Sequence, residues 1–255
     1  MKTKTDYWKH WWNEQARHAS SDYVLNRRTN FHLAVLEQKA LQQFINAVNP
    51  QVDDVILDAG CGSGRNIALL APMVKQVVGV DYSDQMIQRA QERVATDGLS
   101  NVKLIEGAVT KLEFPANSFN KVVCASVLQY LDDENCALAI REMIRVCKPG
   151  GTLVIHAKNG TSLYGLSLKC LRPIARLIGR QMKPEYYRSR RWHERTVEME
   201  GGVQVDYDGF GILTFVPLPQ WAVGCLLRCE MSLPSPKFLR KLAVNYKITA
   251  RVQKK

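Results

Sequence analysis

The residues best suited to chemistry stand behind two short apolar runs. Val55-Ile56-Leu57 ends at Asp58-Ala59-Gly60-Cys61-Gly62-Ser63-Gly64-Arg65-Asn66, and Val77-Val78-Gly79-Val80 ends at Asp81. Three glycines at alternate positions allow a tight turn and a close approach of backbone to ligand. The helix expected next offers unpaired N–H groups at its start, a cradle for a phosphate or a carboxylate. Asp58, just ahead of the turn, is placed to attract a cationic group. Asp81 follows Gly64 by 17 residues, and a carboxylate at that strand end can accept from both hydroxyls of a ribose. Each part also has an ordinary structural use, glycine for strand–helix packing and Asp81 as a helix cap. Together they point to a nucleoside-containing cofactor. A nicotinamide site would want G-x-G-x-x-G, with its third glycine where Arg65 stands, so a dehydrogenase ranks last.

Other chemistry-bearing residues are more scattered. His156 closes the run Thr152-Leu153-Val154-Ile155 and is the best candidate for a general base, since histidine titrates near neutral pH. A buried structural histidine is the competing reading. His193 and Tyr130 are further candidates at the acceptor. Tyr7, Trp8, Trp11 and Trp12 crowd the N-terminus. Spacing of four pairs Tyr7 with Trp11 and Trp8 with Trp12 on a helix. Such a helix either covers the cofactor as a lid, with Tyr7 and Trp11 against the acceptor, or simply packs on the sheet. Asp132-Asp133-Glu134 reads as a helix N-terminus and not as a metal site, and no metal is expected.

These residues need a scaffold of alternating strands and helices. The short β-branched runs at Val55, Val77, Val102-Lys103-Leu104-Ile105, Val122-Val123-Cys124-Ala125 and Thr152–His156 read as buried parallel strands. Helical segments lie between them at Arg65–Val74, Ser83–Thr96 and Asp133–Cys147. This order predicts an α/β fold: a Rossmann-like, doubly wound sheet of seven strands, mostly parallel with the last antiparallel. Ligands bind such sheets at the carboxyl ends of the strands. Residues 7–48 read as helical, most clearly Asn30–Val48. Four regions follow: a helical N-terminal cap (1–50), the core (51–157), a basic helical insertion (158–210) and C-terminal strands (211–255). The last two strands are expected at Ile212–Val216 and Tyr246–Val252 as a hairpin-like edge pair.

Val55 to Gly64 resembles the first motif of class I S-adenosylmethionine-dependent methyltransferases. Asp81-Tyr82-Ser83-Asp84-Gln85-Met86 resembles the motif of their second strand, Pro115–Val123 the run into their fourth, and Arg145–Leu153 the turn into their fifth. The resemblance covers residues 52–156 and is closest to the ubiquinone and menaquinone biosynthesis methyltransferases. It implies S-adenosylmethionine as cofactor and S-adenosylhomocysteine as product. It places Asp58, Gly60, Cys61, Gly62, Gly64, Asn66, Tyr82 and Met86 at the cofactor, with Asp81 holding the ribose and an apolar residue of the second-strand motif flanking the adenine. Backbone groups of Ala108 and Val109 would read the base, and Ala125, Ser126 and Gln129 would line the cofactor. Two positions depart from the pattern: Ala108 and Asn120 stand where many members carry aspartate.

The composition suits one substantial domain: 255 residues, 46% hydrophobic and 23% charged. Seven cysteines without C-x-x-C spacing suggest free thiols in a reducing, cytoplasmic setting. Nothing at the N-terminus resembles a secretory signal. The uncharged run Gly209–Leu227, with Pro217 and Pro219, fits strand, turn and helix start better than a membrane span. The net charge of +11 suggests an anionic partner. Lys169, Arg172, Arg176 and Arg180 share one helical face opposite Leu163, Leu166, Leu171, Ile174, Leu177 and Ile178, with Arg188, Arg190, Arg191 and Arg195 beyond. This basic amphipathic segment suggests a small or lipid-linked acceptor and peripheral contact with anionic membrane, with nucleic acid a lesser prospect. The expected function is methyl transfer to a small or lipid-like acceptor. The alternatives are an RNA methyltransferase and a non-catalytic cofactor-binding regulator. No motif bears on oligomeric state.

Overall fold

A computed structural model describes residues 4–18, 41–177, 185–210 and 243–253. Its centre is a seven-stranded sheet: β1 Val55–Ala59, β2 Gln76–Asp81, β3 Val102–Glu106, β4 Phe119–Ala125, β5 Cys147–Lys158, β6 Gly202–Phe210 and β7 Asn245–Val252, in the order β3-β2-β1-β4-β5-β7-β6. The pairs among β1 to β5 are parallel, and β7 runs antiparallel between β5 and β6. The doubly wound seven-stranded architecture expected from the sequence is therefore present.

Side chains alternate across each strand, so the apolar runs divide between two faces. Ile56, Val77, Val123 and Val154 bury one face against residues 41–48 (helix α2), α3 Arg65–Leu70 and α4 Asp84–Thr96. Leu57, Val78, Val122 and Leu153 bury the other, where α5 Asp133–Val146 supplies Ala139, Ile140 and Met143. The remaining helices are α1 Lys4–His18, α6 Leu163–Leu177 and α7 Arg190–Met199. Local chemistry sets the helix starts: the Ser83 hydroxyl accepts from Met86 N at 3.1 Å, and Asp132 accepts from Asn135 N at 3.0 Å. Asp132-Asp133-Glu134 is thus a helix start, with Asp133 paired to Arg188 at 2.8 Å.

The edge of the sheet departs from expectation. The strand beside β7 is Gly202–Phe210, inside the region read as the end of the basic insertion. An edge strand buries little, so Gly202–Phe210 carries polar residues at Gln204, Asp206 and Asp208 and a weak apolar signal. The strand expected at Ile212–Val216 and the reading of Gly209–Leu227 lie largely outside the described residues, as does much of the helix expected over Asn30–Val48.

Candidate functional site

The carboxyl ends of β1, β2, β4 and β5 open on one cavity of about 490 Å³. Gly60, Gly62 and Gly64 all adopt positive φ (83°, 51° and 78°), a conformation that side chains resist. Gly60 and Cys61 donate to the Val80 carbonyl at 2.7 and 3.0 Å, which binds the turn to β2. A Cβ on Gly60 would lie 2.2 Å from a Val127 methyl, whereas one on Gly62 would meet nothing within 4 Å. Gly62 therefore leaves open space on the cavity wall.

Asp81 is buried, with Oδ2 accepting from Gly62 N at 2.9 Å and Oδ1 from Ser83 N at 3.0 Å. Burial raises its pKa, and these backbone donors oppose the rise. Asp58 is fully buried just behind the cavity wall, and neither of its carboxylate oxygens has a hydrogen-bond partner. Burial lifts its pKa to about 7; the nearby Asn66 side chain offsets this in part, and the Asp81 charge adds to it. An orphaned buried carboxyl group beside an open glycine turn fits a ligand that brings a cationic group.

The other cofactor candidates are distributed around this centre. Cys61, Asn66, Tyr82, Met86, Ala108, Val109, Ala125 and Ser126 all line the cavity. Ser126 holds a positive φ of 60° and donates to the His156 carbonyl at 2.9 Å. Such strain in a non-glycine residue is often kept at functional sites. Gly64 and Gln129 stand behind the wall; Gln129 is buried and donates to the Ser126 carbonyl at 2.9 Å.

The acceptor candidates divide. Tyr130 and His156 line the cavity. His156 is half-buried, and desolvation, with Lys247 adding to it, lowers its pKa to about 4. It is therefore neutral at pH 7. His193 is not on the cavity. It is buried between α7, α5 and β7, with Nδ1 2.5 Å from the Tyr246 hydroxyl and Nε2 3.9 Å from Cys136 Sγ. Nor do Tyr7 and Trp11 line it. The residues of α1 that do are Trp8 and Trp12, which pack on Tyr130 with ring centroids 4.4 and 5.5 Å apart. The helix faces the site with the other pair of its four-residue repeat. Lys9 to Glu106 at 2.7 Å and Asn13 to Asp84 at 2.9 Å tie it to the end of β3 and the start of α4.

Sequence reasoning missed Gln43, Phe44, Arg93, Thr110 and Lys247, which also form part of the wall. Lys247 is directly opposite His156 in the β5–β7 register. Local sequence carries no sign of a contact of that kind. The basic segment also differs from expectation. Arg188 is buried, donating to the carbonyls of Leu128 and Leu131 at 3.0 and 2.7 Å, and Arg190 pairs with Glu194. Lys169, Arg191 and Arg195 are exposed. Leu166, Leu171 and Leu177 of α6 are exposed as well. Among the described residues no helix is long and apolar enough to cross a membrane, and none of the acidic, histidine and cysteine side chains group in threes as a metal site would need.

Residues 56–151 match the family model described as a methyltransferase domain. Demethylmenaquinone methyltransferase from Geobacillus kaustophilus is 35% identical over 127 residues, 49% of this chain and 53% of that protein. The chain spans about half the length of the curated relatives it matches. Among solved structures, Haemonchus contortus phosphoethanolamine N-methyltransferase 1, in complex with phosphoethanolamine and S-adenosylhomocysteine, superposes with a TM-score of 0.68 at 15% identity over 98% of this chain and 49% of that one. Geranyl diphosphate C-methyltransferase from Streptomyces coelicolor A3(2) does so with a TM-score of 0.65 at 17% identity over 98% and 99% of the two chains. At these identities the structural likeness establishes the fold. In fold and in core sequence the chain is similar to the class I S-adenosylmethionine-dependent methyltransferases.

Proposed function

We propose that this chain is a class I methyltransferase that carries a methyl group from S-adenosylmethionine to a small or lipid-like acceptor. One observation carries the reading. An open left-handed glycine turn and the strand-end carboxylate of Asp81 meet at a single cavity, and the orphaned, fully buried Asp58 lies just behind its wall. Asp58 would draw the cofactor's ammonium group, the Gly60–Gly64 turn would lie along its methionine part, and Asp81 would accept from the ribose. Tyr82 and Met86 would flank the adenine, with the backbone of Ala108 and Val109 at its edge and Ala125 and Ser126 opposite. When bound, S-adenosylmethionine supplies an electrophilic methyl group on a neutral leaving group.

What the chain adds is chiefly position. Holding two reactants in line lowers a barrier by as much as roughly 7–11 kcal/mol. Trp8, Trp12 and Tyr130 close the cavity on the acceptor's side and exclude water. His156, neutral at pH 7, is open to proton acceptance, but a pKa of about 4 makes it a weak base. It suits an acceptor whose proton is already acidic. Exposed Leu166, Leu171 and Leu177 on α6, beside exposed Lys169 in a chain of net charge +11, support contact with an anionic lipid surface as the source of a lipid-linked acceptor.

The test is incubation with methyl-labelled S-adenosylmethionine and whole-cell extract, then separation into lipid, RNA and polar fractions. Label in lipid or small polar molecules is expected, with a rise in thermal midpoint at saturating S-adenosylhomocysteine. Label confined to RNA would overturn the acceptor class. No midpoint shift with either cofactor form would overturn the whole reading.

A further inference from the structure

The strand order spreads the cavity's polar groups along one axis. Asp81 stands at the end of β2 and Gly60–Gly64 at the end of β1, the two positions that would hold the cofactor. On the far side of β4, His156 of β5 and Lys247 of β7 are neighbours in register and both line the cavity. Lys247 is more than nine-tenths buried, and its Nζ donates to the Gln43 carbonyl at 2.5 Å. Among the described residues no carboxylate is hydrogen-bonded to it; Asp208 of β6 stands opposite it in register, and the charges of Asp208 and Asp206 act on it without a direct ion pair. Gln43 lines the same wall and has a buried side-chain oxygen with no hydrogen-bond partner. Around this corner the wall is apolar or aromatic, with Leu41, Phe44, Trp8 and Trp12.

A buried ammonium group without a directly bonded counter-ion is costly, and here desolvation outweighs the attraction of Asp208 and Asp206. Its own backbone acceptor leaves two of its three donors unassigned. We propose that Lys247 recognises an anionic oxygen of the methyl acceptor, which is then an apolar, ring-sized molecule bearing one carboxylate or comparable oxyanion. The inference rests on the methyltransferase reading and deepens it. The position of Lys247, with β4 and β5 lying between its strand and the glycine turn, assigns it to the acceptor and not to the cofactor's own carboxylate.

The test titrates the full chain, saturated with S-adenosylhomocysteine, with 2-naphthoate and with the isosteric neutral 2-naphthamide, read by calorimetry. The wild type should prefer the naphthoate by about tenfold or more, the scale of one charge-assisted contact. Lys247→Met should lose that preference while keeping naphthamide and S-adenosylhomocysteine affinities within about twofold, and Lys247→Arg should keep most of it. A wild type that binds the two probes alike or binds neither, or a Lys247→Met protein that keeps the preference, would overturn the proposal. So would equal weakening of S-adenosylhomocysteine, which would give Lys247 to the cofactor. If S-adenosylhomocysteine fails to bind the wild type, the methyltransferase reading falls; the probe preference, measured without it, still decides the role of Lys247.

Discussion

Asp58 and Asp81 show how two neighbouring carboxylates, one behind the cavity wall and one on it, come to differ. Asp81 is satisfied by the backbone N–H groups of Gly62 and Ser83. Asp58 has no such donors, and burial holds its proton up to about pH 7. An aspartate whose folded pKa is raised favours the folded state in acid, and that advantage disappears as pH rises towards 7. A cationic group set against Asp58 favours its ionised form, so binding below pH 7 must release a proton. Affinity for S-adenosylhomocysteine should therefore fall as pH drops from 7 to 5, approaching about tenfold per unit. Asp58→Asn should bind more weakly at pH 8 and show little pH dependence. Calorimetry at several pH values, in buffers of different ionisation heat, checks both the slope and the released proton.

At the scale of elements, the glycine turn separates structural from ligand-facing roles. Gly60 has a positive φ and no room for a Cβ against Val127, whereas Gly62 has a positive φ and open space. A left-handed alanine costs about 1–2 kcal/mol in either place. Gly60→Ala should add the clash and lower stability by roughly 3 kcal/mol or more in denaturant unfolding. Gly62→Ala should stay near the conformational cost alone, yet lose S-adenosylhomocysteine affinity, since its methyl enters the cavity wall. Comparable unfolding midpoints for the two variants would refute this division. The α1 helix makes a related point. Spacing pairs its aromatics, but only packing on Tyr130 and the contacts of Lys9 and Asn13 choose Trp8 and Trp12 as the inward face. Arg188 ties the 185–189 segment to the turn that carries Tyr130 and so serves as scaffold, not as a cationic surface.

For the whole molecule, buried neutral histidines govern the response to acid. His193 is held against Tyr246, and burial lowers its pKa to about 3. In the unfolded chain a histidine takes a proton near pH 6.5. A lowered folded pKa means that stability is lost as pH falls from about 6.5 towards 3, by up to about 1.4 kcal/mol per unit for one such group. His156 acts in the same direction and Asp58 against it. His193→Gln should be less stable at pH 7.5 but lose stability less steeply between pH 6.5 and 4. Tyr246→Phe, which removes the hydrogen bond and no titrating group, should keep the wild-type slope. Urea unfolding across that range reads both. If the two variants had parallel pH profiles, the histidine would not be the source of the acid sensitivity.

Local pattern alone determined the first five strands, the helices α3, α4 and α5, the glycine turn and the strand-end Asp81, because each rests on residues adjacent in the chain. Buried parallel strands must be apolar throughout, and a left-handed turn must be glycine, so both leave marks in short stretches of sequence. Tertiary structure decided the rest. The edge strand Gly202–Phe210 is half exposed and reads weakly. His193 looked available and is sealed in the core by Tyr246. Lys247 reaches the cavity because β7 lies beside β5, where its ammonium meets the Gln43 carbonyl, 204 residues away along the chain. Contacts at that separation are set by the order of strands in the sheet, which no window of neighbouring residues contains.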